Sequence, residues 1–399
     1  MQRPANSYDA NFHISMAAHY AHHWFNPWNE SSLAGFSQTT YPPLTHQWVA
    51  LLSHVVGLLR AYLLFQLIII LLLPLAVYRY ARLWVDERSA SYAALGSVFV
   101  GCLWMLVYED GQLATTSSTT LFLLALPFFY SWSVDGKPRD LIKGLLIGFA
   151  ASAAHHATTI FGSVLFVVPV IWLACLDHRK VHPEESLWQV FRRIGIFLGL
   201  GFSGICLVLL PYIASLIKHP INQVPIWHQS RANMILQPFW GLHYQVIGMG
   251  ALLLLIPYIF WRGASDRRLR PLFVGFWLTW IFGLGGTTPI PHLLVGRAFD
   301  ILTFERFTFW ALLMELPIVG LLASSLIRRF GKKAVSVVGF GLAAIIIIYA
   351  IFYSGWVIGM WKLSRETLAK LNRNDYRTYA LIVNMQRLVD FVVQLASTG

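Results

Sequence analysis

LLFQLIIILLLPLAVY, residues 63–78, decides the class of this chain. With its flanks the run matches the roughly 20 apolar residues that an α-helix needs to cross a bilayer. VVGFGLAAIIIIYAIFY (337–353) does the same. Of the 399 residues, 57% are hydrophobic and 12% charged, about half the charged share of a soluble domain. The fold class is all-α, a polytopic transmembrane helical bundle. About ten crossings are expected, near 60–80, 90–107, 112–133, 141–157, 159–176, 194–216, 244–261, 271–287, 308–327 and 334–358. Cys102, Cys175 and Cys206 all lie in apolar segments, which argues against a disulfide framework or a cysteine metal site.

A net charge of +12 would suggest nucleic acid in a soluble protein. Here the charges follow the loops. Arg79, Arg82 and Arg88, Lys137, Arg139 and Lys143, Arg179, Lys180, Arg192 and Arg193, Arg262, Arg267, Arg268 and Arg270, and Arg328, Arg329, Lys332 and Lys333 make 18 of the 30 basic residues, all in alternate loops or at helix ends. The opposite inter-helix loops hold only Lys218, Arg231, Arg297 and Arg306. Cytoplasmic loops collect Lys and Arg. The chain is therefore expected in the cytoplasmic (inner) membrane as a multi-pass protein, with its N- and C-terminal segments outside the cytoplasm and no nucleic-acid partner. Three regions are expected: an outer loop with short amphipathic helices (1–58), the bundle (59–358) and an outer helical segment (359–399). Because no apolar segment precedes the outer N-terminal stretch, a missing first transmembrane helix and a truncated tail are expected.

The outer N-terminal stretch is rich in reactive side chains. A helix starting near Asp9 would bring Asp9, His13, Tyr20 and His23 near one face, with Phe12 and Met16 beside them, and could lie on the membrane surface. Asp9 could instead cap that helix. YPPLTHQW (41–48) follows, with Pro42 and Pro43 fixing a rigid entry to the next helix and Tyr41 expected at the membrane interface.

An Asp on a first outer loop, HISMA (13–17), WFNPW (24–28), Gly35 and YPPL opening a helix together resemble the GT-C superfamily of integral-membrane glycosyltransferases. The motifs look most like the membrane family labelled 6-pyruvoyl-tetrahydropterin synthase-related. Two further stretches match in context: YEDGQ (108–112) and GGTTPIPHLLVGRAFDILTFERFTFWA (285–311). The resemblance implies inverting transfer of a hexosyl or pentosyl group from a polyprenyl-phosphate sugar, with Asp9 and His13 as catalytic candidates. Substrate-binding candidates are Tyr41, His46, Glu109, Asp110, Arg231, Arg297, Glu305 and Arg306. Arginine's planar fork suits phosphate, although Glu305 and Asp300 could satisfy these arginines as structural ion pairs. Glu109 and Asp110 could orient an acceptor, help Asp9 hold a divalent cation, or form a solvated turn. No recognised metal-ligand spacing is present, so no metal ligand is assigned and the cofactor stays open.

Adjacent His155 and His156 point about 100° apart, which suits a satisfied polar pair inside the bundle better than a ligand pair. Glu315 should face the bundle interior. Two other functions compete. A transporter or flippase would show two related halves and mid-depth polar sites, and neither is evident. A non-catalytic GT-C-like scaffold for envelope-assembly partner proteins would leave the same motifs without turnover.

Overall fold

The computed structural model describes residues 7–30, 35–37, 41–218 and 228–331, with the single positions 333, 336 and 341. The crossing expected at 334–358 and the segment 359–399 lie outside the described residues, apart from those single positions. The chain divides into two compact units, Met1–Pro220 with Trp227–Ser324, and Ile221–Ile226 with Ser325–Gly399. The first carries the elements around the site.

In chain order these are α1 (Ala10–His22), the two-residue antiparallel strands β1 (Trp28–Asn29) and β2 (Phe36–Ser37), α2 (Leu44–Val56), α3 (Leu58–Ala81), α4 (Glu87–Asp110) and α5 (Leu113–Asp135). Then come α6 (Pro138–Ala154), α7 (His156–Val181), α8 (Leu187–Val208), α9 (Leu210–Lys218), α10 (Pro238–Ile247), α11 (Gly250–Ser265), α12 (Arg270–Gly283), α13 (Ile290–Val295) and α14 (Glu305–Gly331). The expected helical membrane bundle is thus present, with one minimal β-ladder beside it. Among the described residues, six helices (α3, α4, α5, α7, α8 and α14) are long and apolar enough to span a membrane. Helices α10 and α11, bent by 89°, pass the same test as a pair. Two expected crossings fall on shorter helices, α6 with 17 residues and α12 with 14.

Helix α14 is the axis of the packing. Every side chain from Phe307 to Ile318 is buried, as fits an apolar helix without a polar face. Glu315 lies within this run and is fully buried, so it faces the interior as expected. Helix α5 supplies a buried hydroxyl run, Thr115 to Thr120. Ser117 and Thr120 bond their own preceding turn, at 2.6 and 2.9 Å. Ser118 donates to the Ala151 carbonyl of α6 at 2.8 Å, and Thr119 accepts from the Trp310 indole of α14 at 2.9 Å. Short polar side chains of this kind join helices where lipid gives no hydrophobic drive between them.

Within the first unit, residues of the two loop sets separated by charge form distinct clusters. At the basic end, Arg268 pairs with Asp177 and donates to the Leu83 carbonyl at 2.6 Å. Tyr130 donates to Asp177 at 2.8 Å, and Arg193 to the Val134 carbonyl at 2.5 Å. The other end joins residues 8–9 to the α4–α5 turn, and that turn to the start of α14.

Helix α1 departs from expectation. Ala10, His13, Met16, Ala17 and Tyr20 are buried, and this face packs on α2 and α3. His23, expected beside them, is exposed and stacks on His19 at 5.1 Å. The helix ends at His22, and His23 leaves helical geometry at φ −132°, ψ 61°, which turns its ring away from the helical repeat.

Helix α14 approaches α4 so closely that a Cβ on Gly320 would stand 2.1 Å from the Ser89 carbonyl oxygen. Gly320→Ala should therefore force the two helices apart and destabilise the protein by about 1–3 kcal/mol, the usual cost of overpacking. Thermal unfolding in detergent measures this, with Gly148→Ala, where the added Cβ meets nothing within 4 Å, as the control.

Candidate active site

The N-terminal segment is tied to the α4–α5 turn through the backbone. Tyr8 N–H donates to the Glu109 carbonyl at 2.8 Å and Asp9 N–H to the Asp110 carbonyl at 2.9 Å. Gly111 makes this possible. It adopts φ +72°, and a Cβ there would stand 2.5 Å from Ser7 Oγ and 2.9 Å from Ala10 N. Asp9 precedes α1, but its side chain forms no capping bond, so the capping alternative is not realised. The carboxyl is partly buried, which pushes its pKa up to about 6, against an opposing pull from Arg306.

Arg306 is the cation at the centre of this end. It is largely buried, donates to Thr303 Oγ1 at 2.5 Å and stands 4.0 Å from Glu305 Oε1. Its charge reaches Asp9, Tyr41, Asp110, His155, His156 and His228. Glu305 is buried and accepts from Gln112 Nε2 at 2.5 Å, while Thr115 Oγ1 donates to the same amide's oxygen at 3.0 Å. His228 Nδ1 lies 4.0 Å from the other Glu305 oxygen. Ser230 Oγ accepts from Phe304 N–H at 2.8 Å, fixing the residue that leads into this pair.

Tyr41 is partly buried. Its ring packs among His13, His46 and His155, at centroid distances of 5.8, 5.5 and 5.6 Å, with His156 at 6.3 Å. The two prolines after Tyr41 aim it back into the bundle. His13 Nδ1 and His46 Nε2 share a hydrogen bond of 2.8 Å, with the rings stacked and both buried. Burial drives the His13 pKa down to about 4 and that of His46 well below the usual range, so both are neutral at pH 7. His155 Nδ1 bonds Thr158 Oγ1 at 2.7 Å and caps α7, a satisfied polar residue as expected.

The structure thus brings together Asp9, His13, Tyr41, His46, Glu109, Asp110, Glu305 and Arg306. Glu109 pairs with His243 at 3.3 Å and Asp110 is mostly buried, so this turn is not simply solvated. Arg231 sits at the margin, donating to the Phe299 carbonyl at 3.4 Å. Arg297 and Asp300 are exposed, and Arg297 has no hydrogen bond or ion pair among the described residues. The expected ion-pair alternative holds for Arg306 with Glu305. Among the described residues, no three His, Cys, Asp or Glu side chains are grouped to hold a metal ion. Gln112 and Ser230 were missed, because nothing in a lone Gln or Ser marks a partner 193 or 74 residues away.

No family model and no curated protein matches the sequence. Solved structures do. ArnT from Cupriavidus metallidurans bound to undecaprenyl phosphate superposes with a TM-score of 0.55 at 15% identity, covering 97% of this chain and 68% of that one. Its apo structure gives 0.54 at 14% identity, covering 81% and 56%. The chain therefore spans little more than half to two thirds of the ArnT chains. The fold resembles that of these ArnT structures. The narrower likeness to the 6-pyruvoyl-tetrahydropterin synthase-related family rests on the sequence motifs alone.

Removing the Gln112 amide should leave a buried Glu305 oxygen without its donor. Gln112→Leu is expected to cost about 1.5–3 kcal/mol, the worth of a hydrogen bond to a charged group. In a Glu305→Gln background the same change should cost clearly less. Chemical unfolding of the four proteins in a double-mutant cycle gives the coupling.

Proposed function

We propose that this chain is an inverting membrane glycosyltransferase. It takes a hexosyl or pentosyl group from a polyprenyl-phosphate donor to an acceptor hydroxyl outside the cytoplasm, with Asp9 as general base. One observation carries this reading. Asp9 stands near Arg306 at the start of α1, and its carboxyl forms no hydrogen bond or ion pair among the described residues, a state it shares with Asp110, whose Oδ2 is buried without a partner. By contrast, Glu305 is held by Gln112 and Arg306, and Glu109 by His243. The fold shared with ArnT, solved with undecaprenyl phosphate, supports a lipid-phosphate donor. The clustering of Lys and Arg in alternate loops supports the sidedness.

In the proposed step, ionised Asp9 accepts the proton of the acceptor hydroxyl. The acceptor oxygen attacks the anomeric carbon, and the bond from that carbon to the phosphate oxygen breaks. Lipid phosphate leaves with one more negative charge, beside Arg306, and Asp9 ends neutral. Glu305 and Gln112 hold Arg306 in place, and Tyr41 walls the site. Asp110 and Glu109 border the acceptor. His13 and His46, neutral and bonded to each other, fix α1 on α2 and so set where Asp9 stands.

The base must be ionised, so with a pKa of about 6 transfer should halve near pH 6 and fall about tenfold per pH unit below that. Asp9→Asn should lower transfer by about 10²–10⁴-fold at pH 7.5, with membrane abundance maintained and thermal stability equal or higher. The assay follows a radiolabelled sugar from polyprenyl phosphate in membranes. Full activity in the variant would remove Asp9 from the mechanism.

A further inference from the structure

Two segments near the site carry bulky apolar side chains where water-facing loops should be polar. In the turn before α10, Ile235 and Leu236 are 76% and 78% exposed; in α13, Leu293 and Leu294 are 76% and 64% exposed. They belong to one unit. Met234 N–H donates to Thr287 Oγ1 at 2.9 Å, and Asn233 forms a backbone bridge with Gly285. A Cβ on Gly285 or Gly286 would stand 2.0 and 2.3 Å from the carbonyl oxygens of Ser230 and Arg231, so only glycine allows this approach.

We infer that residues 233–246 and 287–297 form a wing immersed in one leaflet of the bilayer, with phospholipid acyl chains as its occupant. Continuity identifies the occupant. Beyond Ile235 and Leu236, the exposed side chains Phe239, Leu242 and Val246 repeat at helical spacing along α10, and Leu254 continues the exposure in α11. Helices α10 and α11 together are apolar enough to span or re-enter a membrane, so the stripe that leaves the turn runs directly into lipid-facing surface. Tyr244 and Gln245, which face the other way, are buried, and Gln245 bonds Gly283 O and Thr308 Oγ1 at 2.9 and 3.2 Å. The wing is therefore one-sided: bonded to the bundle on its inner face, apolar on its outer face. Exposed Arg297, just past Leu293 and Leu294, suits the phosphate layer that borders acyl chains. A patch of this size in water would be a liability, whereas in lipid it is an anchor.

Ser230, three residues before the wing, accepts from Phe304 N–H, and Phe304 leads to Glu305, so the wing's depth in the leaflet bears on how far the Arg306 end stands from lipid headgroups. The test needs no sugar transfer and so stands independently of the glycosyltransferase reading. The full chain, with its three cysteines changed to Ala, receives a nitroxide at Leu236→Cys, Leu293→Cys or Glu184→Cys, and is placed in phosphatidylcholine–phosphatidylglycerol nanodiscs. Glu184 is exposed at the basic end and serves as the water-facing reference. Power-saturation EPR reads collision with oxygen, which concentrates in lipid, against a water-soluble nickel chelate. The oxygen-to-nickel ratio at positions 236 and 293 should exceed that at 184 on the order of tenfold. A ratio equal to that at 184 would return the wing to water and overturn the inference. Weak collision with both reagents would overturn it in favour of a covering protein, whether a second copy or a partner.

Discussion

One guanidinium governs the acidic end of this bundle. Arg306 is the second residue of α14, and the stretch from Phe307 to Ile318 behind it is buried on all sides. Around Arg306 stand four carboxyl groups, Asp9, Glu109, Asp110 and Glu305, supplied by three separate stretches of chain. Like charges in a partly dry site cannot all ionise at ordinary cost. Glu305 takes Arg306 and the Gln112 amide, and Glu109 takes His243. Asp9 and Asp110 Oδ2 are left without a partner among the described residues, and burial, opposed by Arg306, raises the Asp9 pKa from 3.8 to about 6. For an acid with a raised folded pKa, the favoured form is the protonated one. That stability is present below pH 4 and is lost as pH climbs from about 4 to 6. Keeping Asp9 ionised at pH 7 then costs on the order of 2–3 kcal/mol. A fold that accepts this expense near a cation has a carboxylate poised at neutral pH.

The histidines serve the opposite purpose. A protonated His13 or His46 would be a second buried charge without a counter-ion, and burial keeps both neutral. Their shared hydrogen bond joins α1 to α2, and His13 N–H bonds the Asp9 carbonyl at 3.0 Å. The histidine pair therefore ties Asp9 to α2 through backbone geometry.

Much of this was legible in the sequence, for identifiable reasons. Apolar runs and alternating basic loops report a solvent boundary, which acts on each residue separately, so the helical bundle and its two chemically distinct ends follow from composition. Asp9, Arg306 and the YEDGQ turn were legible because charged residues are scarce in such a chain. The partners of those charges were not. Gln112 with Glu305, Ser230 with Phe304 and Tyr41 with His155 are long-range contacts between common residue types, and no local spacing encodes them. His23 was misplaced for a related reason. Periodicity extends a helix past its true end.

The same electrostatics bear on how transfer would proceed. As Asp9 takes the acceptor proton it becomes neutral, and as the glycosidic bond to phosphate breaks, the phosphate gains the charge that Asp9 gave up. Net charge around Arg306 stays constant while the negative charge moves from one neighbour to the other. A carboxylate already strained by burial gives up its charge readily, and the growing charge on phosphate raises the proton affinity of Asp9 further. Proton transfer and phosphate departure thus favour each other, and an immobile, buried cation is what links them. A second fixed cation near the phosphate would tighten product binding without adding to that coupling. This is a physical reason for a site to pair one arginine with several acids and to keep its histidines neutral.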